Sequence, residues 1–297
     1  MTERTAGLRG RLPQRTEGNR FAIRWADEYG APPAPTYPID VSEGITAWEM
    51  LGNDTLGDCG PAAVGHERMI AGAHPTTAEI EKLYLTYTGG KDVGVVLADF
   101  LLWLFHGGYI EGFAPVQPAT VDAIMCQFQR GVLLGVSLTD DANDLFNQGQ
   151  PWGSGSVTPD PNEGHAILKV KSAGAAGDGT IVTWGADQAC TGPWLSACID
   201  EAWVLVTKDD LSTAGYAALL ADLSALPHNT EVPPPPAPTP VPPKPTPTPA
   251  PTPAPPAPTP GPSPDPLDAA LAAFVAKHYS AAAKNLATLL VQRVKAL

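Results

Sequence analysis

Residues 53–63 of this 297-residue chain, Asn-Asp-Thr-Leu-Gly-Asp-Cys-Gly-Pro-Ala-Ala, decide its fold. The stretch predicts a helix from Cys59 to about Ala71, because Pro61 lies in the first turn, where a missing N–H costs nothing. A cysteine at a helix start lies at the positive end of the helix dipole, which favours the nucleophilic thiolate. Cys59 is therefore a candidate nucleophile, and the alternative is a buried structural cysteine.

A second motif, Glu163-Gly164-His165-Ala166, begins a predicted strand and supplies a base. If the helical and sheet halves form the two sides of a cleft, the imidazole of His165 can take the proton of Cys59 and return it to a leaving amine. Asn53 can donate a hydrogen bond to an oxyanion, together with the backbone N–H of Cys59. Three other histidines have no predicted strand beside them and are weaker candidates: His66, His74 and His106.

The order of the predicted elements indicates an α+β fold. Helices come first, at 59–71, from the capping box Thr76–Glu79 onward, at 93–105 and at 120–130. Strands follow at 132–138, 165–171, 180–184 and 202–207, before a closing helix at 211–223. We expect a domain over residues 45–227 in which a helical half packs on an antiparallel sheet half.

Three segments together resemble the papain superfamily of cysteine peptidases: Asn53 to Gly60, Gly164 to Ala166, and Thr183-Trp184-Gly185. The core Asp58–Ala62 is most similar to the double-glycine peptidases that process bacteriocin leaders and to their bacterial and phage relatives. The resemblance covers about residues 45–210. It implies a papain-like fold and hydrolysis of a peptide bond by Cys59 and His165.

The sequence departs from that family at two supporting positions. The family has a glutamine in the oxyanion hole where this chain has Asn53, which is one methylene shorter. Papain itself has an asparagine two residues before Trp-Gly to orient the histidine, and Val182 stands there in this chain. The nearest candidates for this orienting role are Thr183, through its hydroxyl, and Asp187, beyond the end of the strand.

The net charge of −13 is unevenly distributed. Residues 25–227 carry a formal charge of −19, which opposes binding of nucleic acid by the main domain. Residues 1–24 carry +4 within a basic arm and extended lead-in, residues 1–44. The arm could contact an acidic partner, but we expect it to be solvated. The chain contains no apolar run of membrane-spanning length.

The end of the chain predicts two further segments. Residues 228–266 are dominated by Pro-Thr and Pro-Ala dipeptides, which are typical of a semi-rigid polyproline spacer. Residues 267–297 have helical apolar periodicity and predict an amphipathic helix. We expect this helix to self-associate or to dock on a protein partner.

No cofactor is expected. A metal site is not expected either, because the sequence has neither CxxC nor HExxH. The acidic cluster at 140–144 lacks the glycine and terminal glutamate of a calcium loop, so a helix cap is the preferred interpretation. Cys190 and Cys198 could pair in an oxidising compartment, but reduced thiols are the default.

Together these features predict a cysteine peptidase that acts on a protein or a cell-wall peptide. The first residues contain no signal peptide, so we expect synthesis in a bacterial cytoplasm, with a phage lysin or a virion-associated hydrolase as the setting. The alternative is a catalytically silent papain-like module anchored by its terminal helix. The peptidase interpretation requires the Cys59 sulfur and the His165 ring to face one groove, and enclosure of the sulfur would contradict it.

Overall fold

A computed structural model of the chain describes residues 4–12, 32, 34–174 and 177–226, all within one compact unit. The spacer at 228–266 and the helix at 267–297 lie outside the described residues, as does most of the lead-in. In the described part, helices precede an antiparallel sheet, as predicted, and the α+β class is confirmed.

The described part contains seven α-helices. They are α1 (Cys59–Ile70), α2 (Thr77–Tyr87), α3 (Leu97–His106), α4 (Val121–Phe128), α5 (Ala142–Asn147), α6 (Gly192–Cys198) and α7 (Thr213–Ala225). The predicted capping box is confirmed, since Thr76 accepts from the backbone of Glu79 and the Glu79 carboxylate accepts from the backbone of Thr76. The helix predicted from residue 93 begins at Leu97 instead. The residues just before it are not helical, and Val95 among them pairs with the N-terminal segment at Arg11.

Seven strands form one antiparallel sheet. They are β1 (Ile39–Asp40), β2 (Phe113–Pro115), β3 (Val132–Ser137), β4 (Gly164–Ser172), β5 (Gly179–Thr183), β6 (Ala186–Cys190) and β7 (Ile199–Leu205). Six of them follow the order β2-β7-β3-β4-β5-β6, and β1 pairs with the far end of β4. The central strands β3 and β4 are buried over nearly all their length.

One apolar core joins the two halves. Fully buried side chains from both halves meet there, among them Phe100, Leu101, Leu133 and Ile167. Helix α1 packs directly on β4, which brings the start of the helix to the strand that begins with the Gly164-His165 motif. The packing of α1 on the sheet is therefore what places the two motifs together.

Four short elements were not expected from the sequence: β1, β2, β6 and α6. Each has seven residues or fewer, too few for apolar periodicity to be recognised. Helix α5 has Asp141 at its N-cap position, as the helix-cap interpretation of the acidic cluster requires, but the Asp141 side chain makes no capping hydrogen bond. Within the described ranges, no helix is long and apolar enough to cross a membrane.

Candidate active site

Cys59 is the first residue of α1, with Asp58 at the N-cap position. Its sulfur accepts hydrogen bonds from the backbone N–H groups of Ala166, on β4, and of Gly10, in the N-terminal arm. The neighbouring Gly60 lets the helix start approach the chain at Val95, because a Cβ there would lie 2.6 Å from the Val95 Cγ2. The sulfur is thus adjacent to the residue that follows His165.

His165 lies near the start of β4 and is completely buried. Its Nε2 lies 2.7 Å from the Thr183 Oγ1, at the end of β5. The Trp184 ring packs against the imidazole with a centroid distance of 4.8 Å. Its Nδ1 has no hydrogen-bond partner among the described residues. One ring nitrogen is therefore held by Thr183, and the other makes no hydrogen bond with the Cys59 sulfur or with any other described group.

The two orienting candidates lie on opposite faces of the sheet. In the β5–β6 hairpin Thr183 pairs with Ala186, whereas Asp187 pairs with Val182, and paired residues of antiparallel strands share a face. The Asp187 carboxylate accepts from the Trp48 Nε1 at 2.7 Å and forms an ion pair with Lys171. Thr183 is therefore the candidate that contacts His165, and the orienting role of Asp187 has no geometric support.

Asn53 is buried and faces the arm. Its Nδ2 donates to the backbone carbonyl oxygen of Leu8 at 2.9 Å and to that of Leu56 at 3.1 Å. The carbonyl oxygen of Leu8 also accepts from the Trp184 Nε1 at 3.3 Å. The amide that the sequence assigns to an oxyanion hole thus donates to a peptide carbonyl group of the chain itself.

Residues 4–12, the described part of the arm and called the arm below, lie across the candidate site, which differs from the expected solvated arm. The Leu8 N–H donates to the Asn53 carbonyl oxygen at 2.6 Å. Two residues further on, the Val95 N–H donates to the Gly10 carbonyl oxygen at 2.6 Å, and the Leu12 N–H donates to the Val95 carbonyl oxygen at 2.7 Å. Residues 4–12 are bound through their backbone as an extended peptide.

Charged side chains fix both ends of this segment. Arg4 stacks over the Phe146 ring at 4.5 Å from its centroid, and Arg9 forms an ion pair with Glu163, next to the His165 motif. The side chain of Arg11 is 4% exposed and forms an ion pair with Glu201. The arm contacts the sheet half through ionic and aromatic contacts as well as through its backbone.

The arm encloses the sulfur. Cys59 is 1% exposed, and a Cβ on Gly10 would overlap the carbonyl oxygen of Gly57, so only glycine fits at that point of the arm. The requirement for a groove open to solvent is not met in this conformation. Of the two residues whose N–H groups meet the sulfur, Gly10 belongs to the arm and Ala166 to β4, so the arm forms one side of this enclosure.

Enclosure also makes both reactive groups neutral. Burial raises the pKa of the Cys59 thiol to about 11, despite the N–H donors of Ala166 and Gly10. Burial, together with the charges of Arg9 and Arg11, lowers the pKa of His165 to about 3. The expected thiolate at the helix start is thus outweighed by desolvation while the arm is bound.

Trp184, at the end of the strand predicted over 180–184, belongs to the candidate site as well. It is buried, but it also contacts His165 and donates to the Leu8 carbonyl oxygen. Trp184 and Gly185 form the two-residue turn between β5 and β6, and both have positive φ, +46° for Trp184. A bulky residue rarely adopts this conformation, which here directs the indole onto the imidazole. The Trp-Gly pair directly after a predicted strand was the sequence feature that could have indicated this contact with His165.

Other expectations have structural outcomes. The His66 Nε2 lies 2.8 Å from the carbonyl oxygen of Glu49, a buried contact away from β4. Trp152 is fully buried and donates to the Ala142 carbonyl oxygen, so it is not available to a substrate in the groove. Cys190 and Cys198 are both free thiols. Within the part of the chain that the structure covers, no cluster of three or more His, Cys, Asp or Glu is arranged to hold a metal ion.

No family model and no curated protein matches the chain. Among solved structures, the chain is similar to xylellain, a cysteine protease from Xylella fastidiosa. The two share 14% identity over 70% of this chain and 98% of that one, with a TM-score of 0.46. A likeness at that level assigns neither an activity nor site residues to this chain.

Proposed function

We propose that this protein is a papain-like cysteine peptidase or amidase that hydrolyses peptide bonds with Cys59 and His165. One observation carries the proposal. An extended peptide, the arm itself, already lies over the Cys59 sulfur with its backbone hydrogen-bonded on both sides. The groove therefore has the shape and the hydrogen-bonding groups to bind a peptide main chain.

In this mechanism Cys59 is the nucleophile, His165 transfers the protons and Asn53 binds the oxyanion. His165 takes the thiol proton of Cys59, and the sulfur attacks the carbonyl carbon of the scissile bond. The oxyanion that forms accepts from the Asn53 Nδ2 and the Cys59 N–H. The imidazolium then protonates the leaving amine, and water, deprotonated by the imidazole, hydrolyses the thioester. Thr183 acts as a positioning residue, because its hydroxyl contacts the Nε2 and leaves the Nδ1 without a partner, so that this nitrogen is the one to accept the thiol proton.

Activity requires displacement of the arm. While it is bound, the sulfur is enclosed and the pKa values of Cys59 and His165 favour the neutral forms. Departure of the arm returns water to both groups and removes the positive charges of Arg9 and Arg11 from the surroundings of His165. Both changes favour the charged pair that attacks a carbonyl group.

The test compares Cys59 with a thiol of the same molecule. Cys126 is partly exposed and serves as the reference. The full chain carrying Arg11→Ala, which loosens the arm, is treated with iodoacetamide at pH 6, and both sites are quantified by mass spectrometry. We expect Cys59 to react at least about tenfold faster than Cys126, since a thiolate reacts and a thiol does not. Adding His165→Ala should abolish the difference, together with hydrolysis of an unfolded protein substrate.

Two outcomes would contradict the proposal. In one, Cys59 of the loosened chain reacts no faster than Cys126. In the other, its reactivity is indifferent to His165→Ala. Either result would favour the second candidate function, a catalytically silent papain-like module that acts as a displayed or structural protein. The enclosed, neutral sulfur is the observation that supports this second candidate.

The double-glycine peptidase subtype, a phage or virion setting and a cell-wall peptide as substrate remain part of the proposal. Residues 228–266 as a spacer and 267–297 as an associating helix belong to it too, on the support of sequence pattern alone. The mass of the full chain in solution, compared with that of a chain ending at 264, tests the helix. An unchanged oligomeric state would remove its predicted role.

A further inference from the structure

The side chain of Arg11 fills a pocket beside the candidate site. Its Nη1 lies 3.1 Å from the Glu201 Oε1, and its Nη2 contacts the Asp200 carboxylate and donates to the Val136 carbonyl oxygen at 3.2 Å. The guanidinium thus has two carboxylates and one carbonyl oxygen around it. These are the groups that bind an arginine side chain most strongly.

The pocket is shaped for a long side chain. Gly135, on β3, forms its floor, and a Cβ there would lie 2.5 Å from the Glu201 Cγ and 3.0 Å from the Arg11 Cδ. A Cβ on Gly164, next to His165, would overlap the backbone carbonyl oxygen of Arg11. Two glycines therefore leave the space that the arginine and its backbone occupy.

The carboxylates are held in place independently of Arg11. Glu201 is 5% exposed, and its Oε2 accepts from the Trp203 Nε1 at 2.8 Å. The Asp200 Oδ2 accepts from the Ser137 hydroxyl at 2.8 Å. Glu201 is buried and fixed, so a cation beside it favours its charged form, whereas the Asp200 side chain is exposed. Without the arm, another cation restores that charge pair, and otherwise burial raises the pKa of Glu201 and favours its protonated form.

The pocket adjoins the reactive sulfur. Arg11 follows Gly10, whose N–H donates to the Cys59 sulfur, and the arm pairs with Val95 at both neighbouring residues. A substrate that binds to the sulfur must replace the arm there, so one of its side chains can enter the vacated pocket. The acidic domain, −19 over residues 25–227, attracts basic peptides as well.

We propose that the pocket formed by Glu201, Asp200 and the Val136 carbonyl oxygen, with Gly135 as its floor, is a specificity subsite that binds an arginine side chain of the substrate. Arg11 occupies the same subsite when the arm is bound. The inference rests on the proposed peptidase function, because a specificity subsite presupposes that the protein cleaves a substrate. The pocket itself binds arginine peptides whether or not the bond is cleaved.

The experiment measures binding without turnover. The full chain carries Arg11→Ala to empty the pocket and Cys59→Ala to prevent hydrolysis. The probe is a fluorescent peptide with the sequence of residues 4–12, and its partner has the neutral isostere citrulline at the position of Arg11. We expect the arginine peptide to bind at least about 30-fold more tightly, as expected for a buried hydrogen-bonded charge pair.

A matched pair of variants assigns the preference to the pocket. Adding Glu201→Gln, which keeps the shape, should reduce the ratio of the two affinities to below about threefold. Adding Asp222→Asn, which removes an exposed carboxylate on α7, should leave the ratio unchanged. Equal affinities for the two peptides, or a ratio that Glu201→Gln does not change, would overturn the subsite.

A second measurement covers the case in which Arg11→Ala does not fold. In the chain that retains Arg11, Glu201→Gln should raise the rate of Cys59 alkylation at least about tenfold, because the arm loses its charged partner. Asp222→Asn should not change this rate. No change with Glu201→Gln would overturn the subsite.

Hydrolysis by the Arg11→Ala chain separates the two proposals. Arginine-selective binding without any hydrolysis would retain the pocket and reject the peptidase. Hydrolysis with no preference between arginine and citrulline peptides would retain the peptidase and reject the pocket. Faster cleavage of the arginine peptide, lost in Glu201→Gln, would support both.

Discussion

Two arginines of this protein are held by a pair of carboxylates each, and they have different consequences. Arg130, between α4 and β3, lies 3.2 Å from Asp210 and 3.9 Å from Glu67, and all three residues follow β1 in the chain. Arg11 meets Glu201 and Asp200 but comes from the N-terminal segment ahead of β1. The same chemistry stabilises the fold in one case and covers a candidate nucleophile in the other.

The surroundings of the two carboxylate pairs explain the difference. Glu67 is 1% exposed and accepts from the Gly131 N–H at 3.0 Å, so its ion pair is built into the contact of α1 with the sheet. Glu201 faces the groove, where water can replace Arg11 once the arm leaves. Loss of Arg130 should therefore lower the free energy of unfolding, and loss of Arg11 should favour departure of the arm from the Cys59 sulfur.

The largest expected effect compares Arg11→Ala with Arg130→Ala. Removal of one partner of a buried ion pair costs about 3–5 kcal/mol. Because Arg11 holds the arm closed, Arg11→Ala should raise the alkylation rate of Cys59 at pH 8 at least about 100-fold. Arg130→Ala should leave that rate unchanged and should instead lower the free energy of unfolding by about 3 kcal/mol, measured by urea denaturation.

The opposite pattern would remove the distinction between the two sites. Fast alkylation in the Arg130→Ala chain under native conditions would mean that Cys59 is reached by loss of the fold. Slow alkylation in the Arg11→Ala chain would mean that other arm contacts, such as that of Leu8 with Asn53, are sufficient to enclose the sulfur.

A smaller effect separates the two sites by pH. The pKa of His165 is lowered to about 3 with the arm bound and, in a Cys59→Ala chain that cannot form the thiolate–imidazolium pair, should return toward 6.5 when the arm leaves, so the open form binds a proton more readily. Opening should therefore increase as pH falls, by about 20- to 30-fold between pH 7 and pH 5. Hydrogen exchange at the amides of Leu12 and Val95, corrected for intrinsic rates, measures it.

The Arg130 site should respond with the opposite sign. Burial raises the pKa of Glu67 to about 8, so the protonated form is favoured in the folded state. Its contribution to stability is fully present below about pH 4.5 and is lost as pH rises toward 8.

As a control for the opening, His165→Gln should remove most of the increase in exchange at low pH. Exchange that stays constant from pH 7 to 5 in the Cys59→Ala chain would contradict the link to His165.

The smallest expected effect uses one glycine at each site. A Cβ on Gly135 would crowd the Glu201 side chain first and Arg11 next, and a shift of the Glu201 side chain to relieve the strain would break its ion pair with Arg11 and release the arm. We expect Gly135→Ala to raise Cys59 alkylation about tenfold with little change in unfolding. A Cβ on Gly131 would lie 2.8 Å from the Glu67 Oε2 and 2.7 Å from the Leu168 Cδ1. Gly131→Ala should lower the free energy of unfolding by about 1–3 kcal/mol.

Urea denaturation and alkylation of both alanine variants check this last comparison. If both substitutions destabilise the fold equally and neither exposes the sulfur, then Gly135 is a packing residue of the sheet. Its role as the floor of a vacatable pocket would then be wrong.

The sequence by itself determined the α+β order, the helix that starts at Cys59, the capping box at Thr76 and the strand that carries His165. These features depend on apolar periodicity and on residues close together in the chain, and such patterns are local. That Cys59 and His165 act together remains a prediction. The structure shows that the helix beginning at Cys59 packs on the strand that carries His165.

Only the tertiary structure decided which side chains meet around these motifs. The choice of Thr183 over Asp187 depends on the register of the β5–β6 hairpin, since a shift of one residue would exchange the two faces. The contact of Arg11 with Glu201 joins residues 190 positions apart in the sequence, and no local pattern encodes it. Burial of the sulfur by the arm, which sets its pKa, follows from that long-range contact, because desolvation depends on everything packed around a group.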